Sequence, residues 1–130
     1  MELVAATLAV VEAAGALGRV VFSSFDESLL VEMRRESPRA ALAVLWTEPA
    51  IHDALRLAER VSARTLHVRK DVVRAATVAQ AAAAGVEVRA WTVNDPVDSQ
   101  RLADAGVAGI FTDFPERFLH TFTTSSQPNG

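Results

Sequence analysis

An alternation of short apolar runs with helix-like segments constrains this chain more than any other feature. Residues 19–25, 41–46, 65–68, 86–93 and 109–112 read as strands: the first holds the continuous Val20, Val21 and Phe22 typical of a strand covered on both faces. Between them, apolar residues recur at helical spacing, with Leu29, Leu30 and Met33 in residues 26–36 and Leu55, Leu57, Ala58 and Val61 in residues 53–63. An alanine-rich helix is expected over residues 71–84. A helix over residues 2–14 precedes the first strand, and a last one is expected over residues 115–119. Strand and helix in turn, with short connections, dictate a parallel sheet with right-handed crossovers. This α/β pattern of alternating β-α units with parallel strands is compatible with an open sheet and with part of a barrel.

Punctuation supports these boundaries. Gly15 and Gly18 end the first helix and Pro38 stops the second. Asp71 reads as an N-cap with Gly85 at the C-terminal end of its helix, and Asp95-Pro96 opens a helix that Gly106 closes. In residues 86–93, Val86, Val88, Ala90 and Thr92 alternate with Glu87, Arg89, Trp91 and Val93. A charged pair on one side suits a solvated sheet face or the centre of a barrel.

Half of the 130 residues are hydrophobic, enough to bury a core. Thirteen basic against sixteen acidic residues leave a net charge of −3 and no basic stripe, so nucleic acid is not expected as a partner. Without cysteine there are no disulfides or thiolate metal sites, and a reducing, cytoplasmic location is expected. The apolar opening carries Glu2 and Glu12 and lacks a basic flank, so it reads as an amphipathic helix rather than a signal peptide. No apolar run approaches the ~20 residues of a membrane span. Residues 1–120 are expected to form one domain, and the polar, turn-rich residues 121–130 a frayed tail.

In parallel α/β architecture, binding groups collect beyond the carboxyl ends of the strands. Those ends bring Ser23, Ser24 and Phe25, then Trp46 and Thr47, then His67, then Trp91 and Asn94, then Thr112 and Asp113. No Gly-x-Ser-x-Gly elbow surrounds the serines, so they suit hydrogen bonding rather than nucleophilic attack. His52, His67 and His120 lack a metal-ligand spacing; His52 and His120 read as surface histidines, whereas His67 sits where it can face the mouth. Trp91 suits filling the mouth or stacking on a cation. Asn94 suits a ligand or a cap, as does Asp113. No phosphate-binding glycine loop is present.

The strand ends Ser23-Ser24-Phe25 and Trp91-Thr92-Val93-Asn94, with the close Gly109-Ile110-Phe111-Thr112-Asp113-Phe114-Pro115, resemble the C-terminal half of glycerophosphodiester phosphodiesterases. The resemblance runs from the first helix to about residue 119. It implies the C-terminal half of a TIM-type (β/α)8 barrel, since a whole one takes about 250 residues. It also implies hydrolysis of glycerophosphodiesters to glycerol 3-phosphate and an alcohol with a divalent cation, Ca2+ or Mg2+. Ser24, Phe25, His67, Trp91 and Asn94 are then candidates for the substrate lining, with no catalytic or metal-binding residue in this chain. The family's His-Arg-Gly, acidic metal-binding, His-Asp and Glu-x-Lys motifs do not occur here. Such a chain is expected to be inactive alone and to need a homo-oligomeric partner or the missing N-terminal half. A split enzyme, a self-associating remnant and an open binding domain remain alternatives.

Overall fold

The computed structural model describes residues 2–118, with side chains described from Val4 onward. Five helices and five strands alternate: α1 (Glu2–Ala13), β1 (Val21–Ser24), α2 (Glu27–Glu36), β2 (Ala41–Trp46), α3 (His52–Val61), β3 (Thr65–Arg69), α4 (Ala75–Ala83), β4 (Glu87–Trp91), α5 (Pro96–Ala105) and β5 (Gly109–Ile110). Short 3-10 turns occupy Leu17–Arg19, Lys70–Val72 and Pro115–Arg117.

All strand pairs are parallel and the order in space is β1-β2-β3-β4-β5, the order in sequence. Phe22, Leu42, Val44, Leu66, Val68, Val88 and Ala90, of one strand parity, share a core with Val4, Leu8, Leu30, Ala58, Val61, Ala81 and Leu102 from the five helices. Every helix therefore packs on the same face. A doubly wound sheet reverses its strand order and carries helices on both faces. Unreversed order with one-sided helices is the geometry of a barrel wall and excludes the open doubly wound alternative.

The other parity, Val21, Ser23, Ala43, Leu45, Thr65, His67, Glu87, Arg89 and Trp91, forms a face without helices. There Glu87 and Arg89 make an ion pair at 2.7 Å. Val21 is 40% exposed on this face.

Local chemistry accounts for the element ends. The Asp26 carboxylate accepts from the amides of Ser28 at 2.9 Å and Leu29 at 3.3 Å, which caps α2 and holds its pKa below the usual carboxylate value. Its side-chain bond from the Ser28 hydroxyl is the largest cause of that shift. The Asp95 carboxylate accepts from the Val97 amide at 2.8 Å, and Pro96 occupies the first turn of α5. Gly106 ends α5 at φ +97°, where a Cβ would also meet Val78 Cγ1 at 3.3 Å.

Some boundaries differ from the sequence reading. The first strand starts at Val21 because residues 17–19 turn first. α4 starts at Ala75, not Asp71: Val73 is drawn wholly into the core, and Thr77 Oγ1 accepts from the Arg74 amide at 3.0 Å to cap the helix. Asp71 instead pairs with Arg69 at 2.6 Å. Val93 does not follow Trp91 onto the helix-free face. β4 ends at Trp91, and Val93 is buried in the core with its amide donating to the Phe111 carbonyl at 2.8 Å. At the last turn Phe114, not Asp113, holds the cap position. His120 and the tail over residues 121–130 lie outside the described residues.

Candidate functional site

Each strand runs the same way, so the C-terminal ends of all five open at one rim. At its centre is Trp91, half-buried, whose indole N–H donates to the His67 carbonyl oxygen at 2.9 Å. Phe25 meets Trp91 edge to face with ring centroids 6.4 Å apart and is itself 58% exposed. His67 lies below, 4% exposed, with Phe111 packed against its ring at 4.6 Å between centroids. Three rings at or just beyond the ends of β1, β4 and β5 and the His67 ring from the middle of β3 thus form one aromatic patch.

Burial lowers the His67 pKa to about 4, and the neighbouring Arg89 charge adds to the effect, with Glu87 opposing it. The imidazole is neutral at pH 7. Its Nε2 is buried without a hydrogen-bond partner among the described residues.

Asn94 ties the β4 and β5 ends together. Its Oδ1 accepts from the Thr112 hydroxyl at 2.9 Å and the Asp113 amide at 3.0 Å, while its Nδ2 donates to Asp113 Oδ2 at 3.0 Å. Arg117 donates to its main-chain carbonyl at 3.1 Å, and Thr112 Oγ1 accepts from the Phe114 amide at 3.0 Å. Asn94 and Asp113 are therefore engaged in holding the rim, and the guanidinium of Arg117 lies 3.9 Å over the Phe114 ring.

Of the sequence candidates, the structure brings Phe25, His67 and Trp91 together and puts Asn94 in the adjoining loop clamp. Ser24 shares the parity of Phe22, on the helix side, and its Oγ accepts from the Asp26 amide at 3.0 Å, a local turn bond. Ser23, by contrast, is exposed on the helix-free face. Trp46 Nε1 donates to the Ala50 carbonyl at 3.0 Å and packs on the core side. His52 is exposed at the start of α3. Phe111 was not singled out from sequence, yet it shares the parity of Gly109, the register partner of Arg89. That count places residue 111 on the same side as His67 and Trp91.

Among the described residues no three His, Cys, Asp or Glu side chains gather as a metal-ligand set. The donor set present does not fit a divalent cation by itself. No helix among the described residues is long and apolar enough to cross a membrane.

The profile of the "Glycerophosphoryl diester phosphodiesterase family" matches residues 1–117. The chain is 34% identical over 101 residues to the uncharacterized protein YqiK of Bacillus subtilis, covering 76% of this chain and 41% of that one. It is 29% identical over 102 residues to a glycerophosphodiester phosphodiesterase of Caldanaerobacter subterraneus subsp. tengcongensis, covering 78% and 42%. Among solved structures it is similar to a candidate glycerophosphoryl diester phosphodiesterase of Silicibacter pomeroyi, with TM-score 0.83, 33% identity, 95% of this chain and 44% of that one. A phosphodiesterase of Oleispira antarctica, solved with the product sn-glycerol-3-phosphate, superimposes with TM-score 0.72 at 25% identity over 80% of this chain and 42% of its own. The chain thus spans well under half the length of these curated relatives, and it matches barrel structures over about half of theirs.

Proposed function

The chain belongs to the glycerophosphoryl diester phosphodiesterase family, and from that premise we propose that it is the C-terminal half of such a barrel. In this reading it lines the substrate mouth, and the other half brings the catalytic histidines and the cation. The completed barrel hydrolyses a glycerophosphodiester to glycerol 3-phosphate and an alcohol, in cytoplasmic lipid metabolism. The observation that carries the reading is the aromatic patch of Phe25, Trp91 and Phe111 over His67, at the carboxyl ends of parallel strands. The relative solved with sn-glycerol-3-phosphate supports a small phosphorylated glycerol as the ligand.

In this role Phe25 and Trp91 offer apolar walls to the carbon skeleton of the substrate and exclude water from it. His67 supports Trp91 through its carbonyl and offers a neutral imidazole. With a pKa of about 4 it carries no proton to give a leaving oxygen at pH 7. Asn94 keeps the neighbouring rim in place, and Ser24 shapes the turn that presents Phe25. A divalent cation, when bound in the whole barrel, neutralises charge on phosphoryl oxygens. The donor set of this chain does not hold it among the described residues.

The test is glycerol 3-phosphate release from glycerophosphocholine. The purified chain with Mg2+ or Ca2+ is expected to release none, and the chain joined to a family N-terminal half is expected to release it. Chelator-sensitive release by the chain alone would overturn the reading.

The exposed Val21, Phe25 and Phe111 favour one other reading, an inactive half barrel that covers this face by self-association. Light scattering separates the two: a stable dimer without a partner chain supports self-association.

A further inference from the structure

A cavity of about 410 Å3 lies between the 3-10 turn Lys70–Val72, the start of α4 and α5, and shares no residue with the aromatic rim. Three of its lining side chains are cations, Lys70, Arg74 and Arg101. Two are carboxylates. Asp98 accepts from Lys70 Nζ at 2.7 Å and stands 4.0 Å from Arg101 Nε, and Asp71 is engaged by Arg69 at 2.6 Å. Four cations against two carboxylates leave +2 in one patch of a chain whose net charge is −3.

The turn itself holds both guanidiniums. Arg101 donates from Nη1 to the Val73 carbonyl and from Nη2 to the Lys70 carbonyl, each at 3.0 Å. Arg74 donates from Nη1 to the carbonyls of Asp71 at 3.1 Å and Val73 at 3.0 Å. Main-chain carbonyls fix these groups without neutralising them, so less side-chain entropy is lost when a ligand binds. Arg74 Nε and Nη2 have no acceptor among the described residues, and Lys70 Nζ keeps donors beyond the one that meets Asp98. Arg74 also stands at the N-cap of α4, where a carboxylate is favoured and a cation repelled. The cations therefore gather against local preference, a departure of the kind that functional sites show.

We propose that this cavity binds a dianionic phosphoryl group, as inorganic phosphate or a small phosphate monoester. Its volume falls within the roughly 300–1,000 Å3 of small-molecule sites. Phosphoryl oxygens take the planar donors of arginine and the point charge of lysine, and both are present. A dianion balances the local excess of charge. The Asp98 carboxylate opposes any anion by itself, but it holds Lys70 and Arg101 over the cavity. The site is independent of the functional reading above, since it lies outside the rim and needs no other chain.

The test exploits Lys70, the only lysine among the 130 residues. Acetylation of the folded chain by an N-hydroxysuccinimide ester is followed at Lys70 by peptide mass spectrometry, in inorganic phosphate, in glycerol 3-phosphate and in sodium chloride of equal ionic strength. A phosphoryl ligand at about 10 mM is expected to slow the reaction about tenfold, corresponding to a Kd near about 1 mM, and chloride to slow it less than about twofold. Equal protection by the two ligands assigns the site to the phosphoryl group alone, and stronger protection by glycerol 3-phosphate assigns it to the ester. Arg74→Gln, at an exposed side chain, is expected to weaken binding about tenfold or more while the urea midpoint changes little. Lys70→Gln is a second variant, with binding read by titration calorimetry and the same loss expected. Protection by chloride equal to that by phosphate overturns the proposal. So does the absence of protection by both phosphoryl ligands, or full affinity in the two variants.

Discussion

The indole N–H of Trp91 reaches across one strand to the His67 carbonyl oxygen, at 2.9 Å. Trp91 is the register partner of Arg69, two residues beyond His67, so the indole leans back along β3. The bond orients the ring against which Phe25 packs.

Trp91→Phe removes the donor and retains an aromatic ring. The chain is expected to lose about 1–2 kcal/mol, from the lost hydrogen bond and the smaller ring, measured by urea denaturation. In a completed barrel the same change is expected to raise KM for glycerophosphocholine more than it lowers kcat, because the wall acts on bound substrate and transition state alike.

His67 makes stability depend on pH. Its folded pKa, about 4, lies below the unfolded value near 6.5, so the unfolded chain binds more protons between these values. Stability is therefore complete above about pH 6.5 and falls as pH drops towards 4. His67→Leu removes the titration and is expected to flatten this limb of the urea midpoint against pH. An unchanged slope would show that another group carries it.

Asn94→Ala breaks three side-chain hydrogen bonds between the β4 and β5 ends. A loss of about 1–3 kcal/mol is expected, with faster amide exchange at residues 112–114. Asn94→Asp sets a carboxylate against Asp113 in place of the donated N–H. It is expected to destabilise more than Asn94→Ala at pH 7, because two acceptor groups then face each other.

Arg34 joins two helix ends without a carboxylate partner in the bonds that hold it. It donates to the carbonyls of Val61 at 2.7 Å, Ser37 at 3.2 Å, Pro38 at 2.8 Å and Ser62 at 3.3 Å. Arg34→Lys keeps the charge and loses the planar fork, and a loss of about 1–2 kcal/mol is expected in urea denaturation. Recovery of full stability by lysine would mean that charge at the helix ends, rather than the fork, matters.

Much of the wall was legible in the sequence because strand and helix periods are local properties. Residues 41–46 form β2 as read, and Asp95, Pro96 and Gly106 bound α5 as read, since each acts through backbone geometry within one or two turns. The start of α4 was not legible. Asp71 has the chemistry of a cap, but core burial of Val73 and the ion pair with Arg69 compete for the same few residues. Val93 departs from the alternation for a similar reason: the pairing that enforces the period stops at Trp91.

The rim divides along the same line. The strand-end rule brought Phe25, Trp91 and Asn94 to the rim because all parallel strands deliver their last residues to one side, whereas β3 runs on to Arg69 and leaves His67 in mid-strand rather than at its end. Ser24 and Phe111 needed the fold, since the parity that assigns each to a face depends on where its strand begins pairing. By itself the sequence determined the alternation, the caps and the chemistry available at each strand end, all set by neighbours in the chain. Only the tertiary structure decided that the helices share one face, that His67 is buried and neutral beneath Phe111, and that β1 keeps an open edge. Those outcomes depend on which distant segments exclude water from one another, and no local pattern records that.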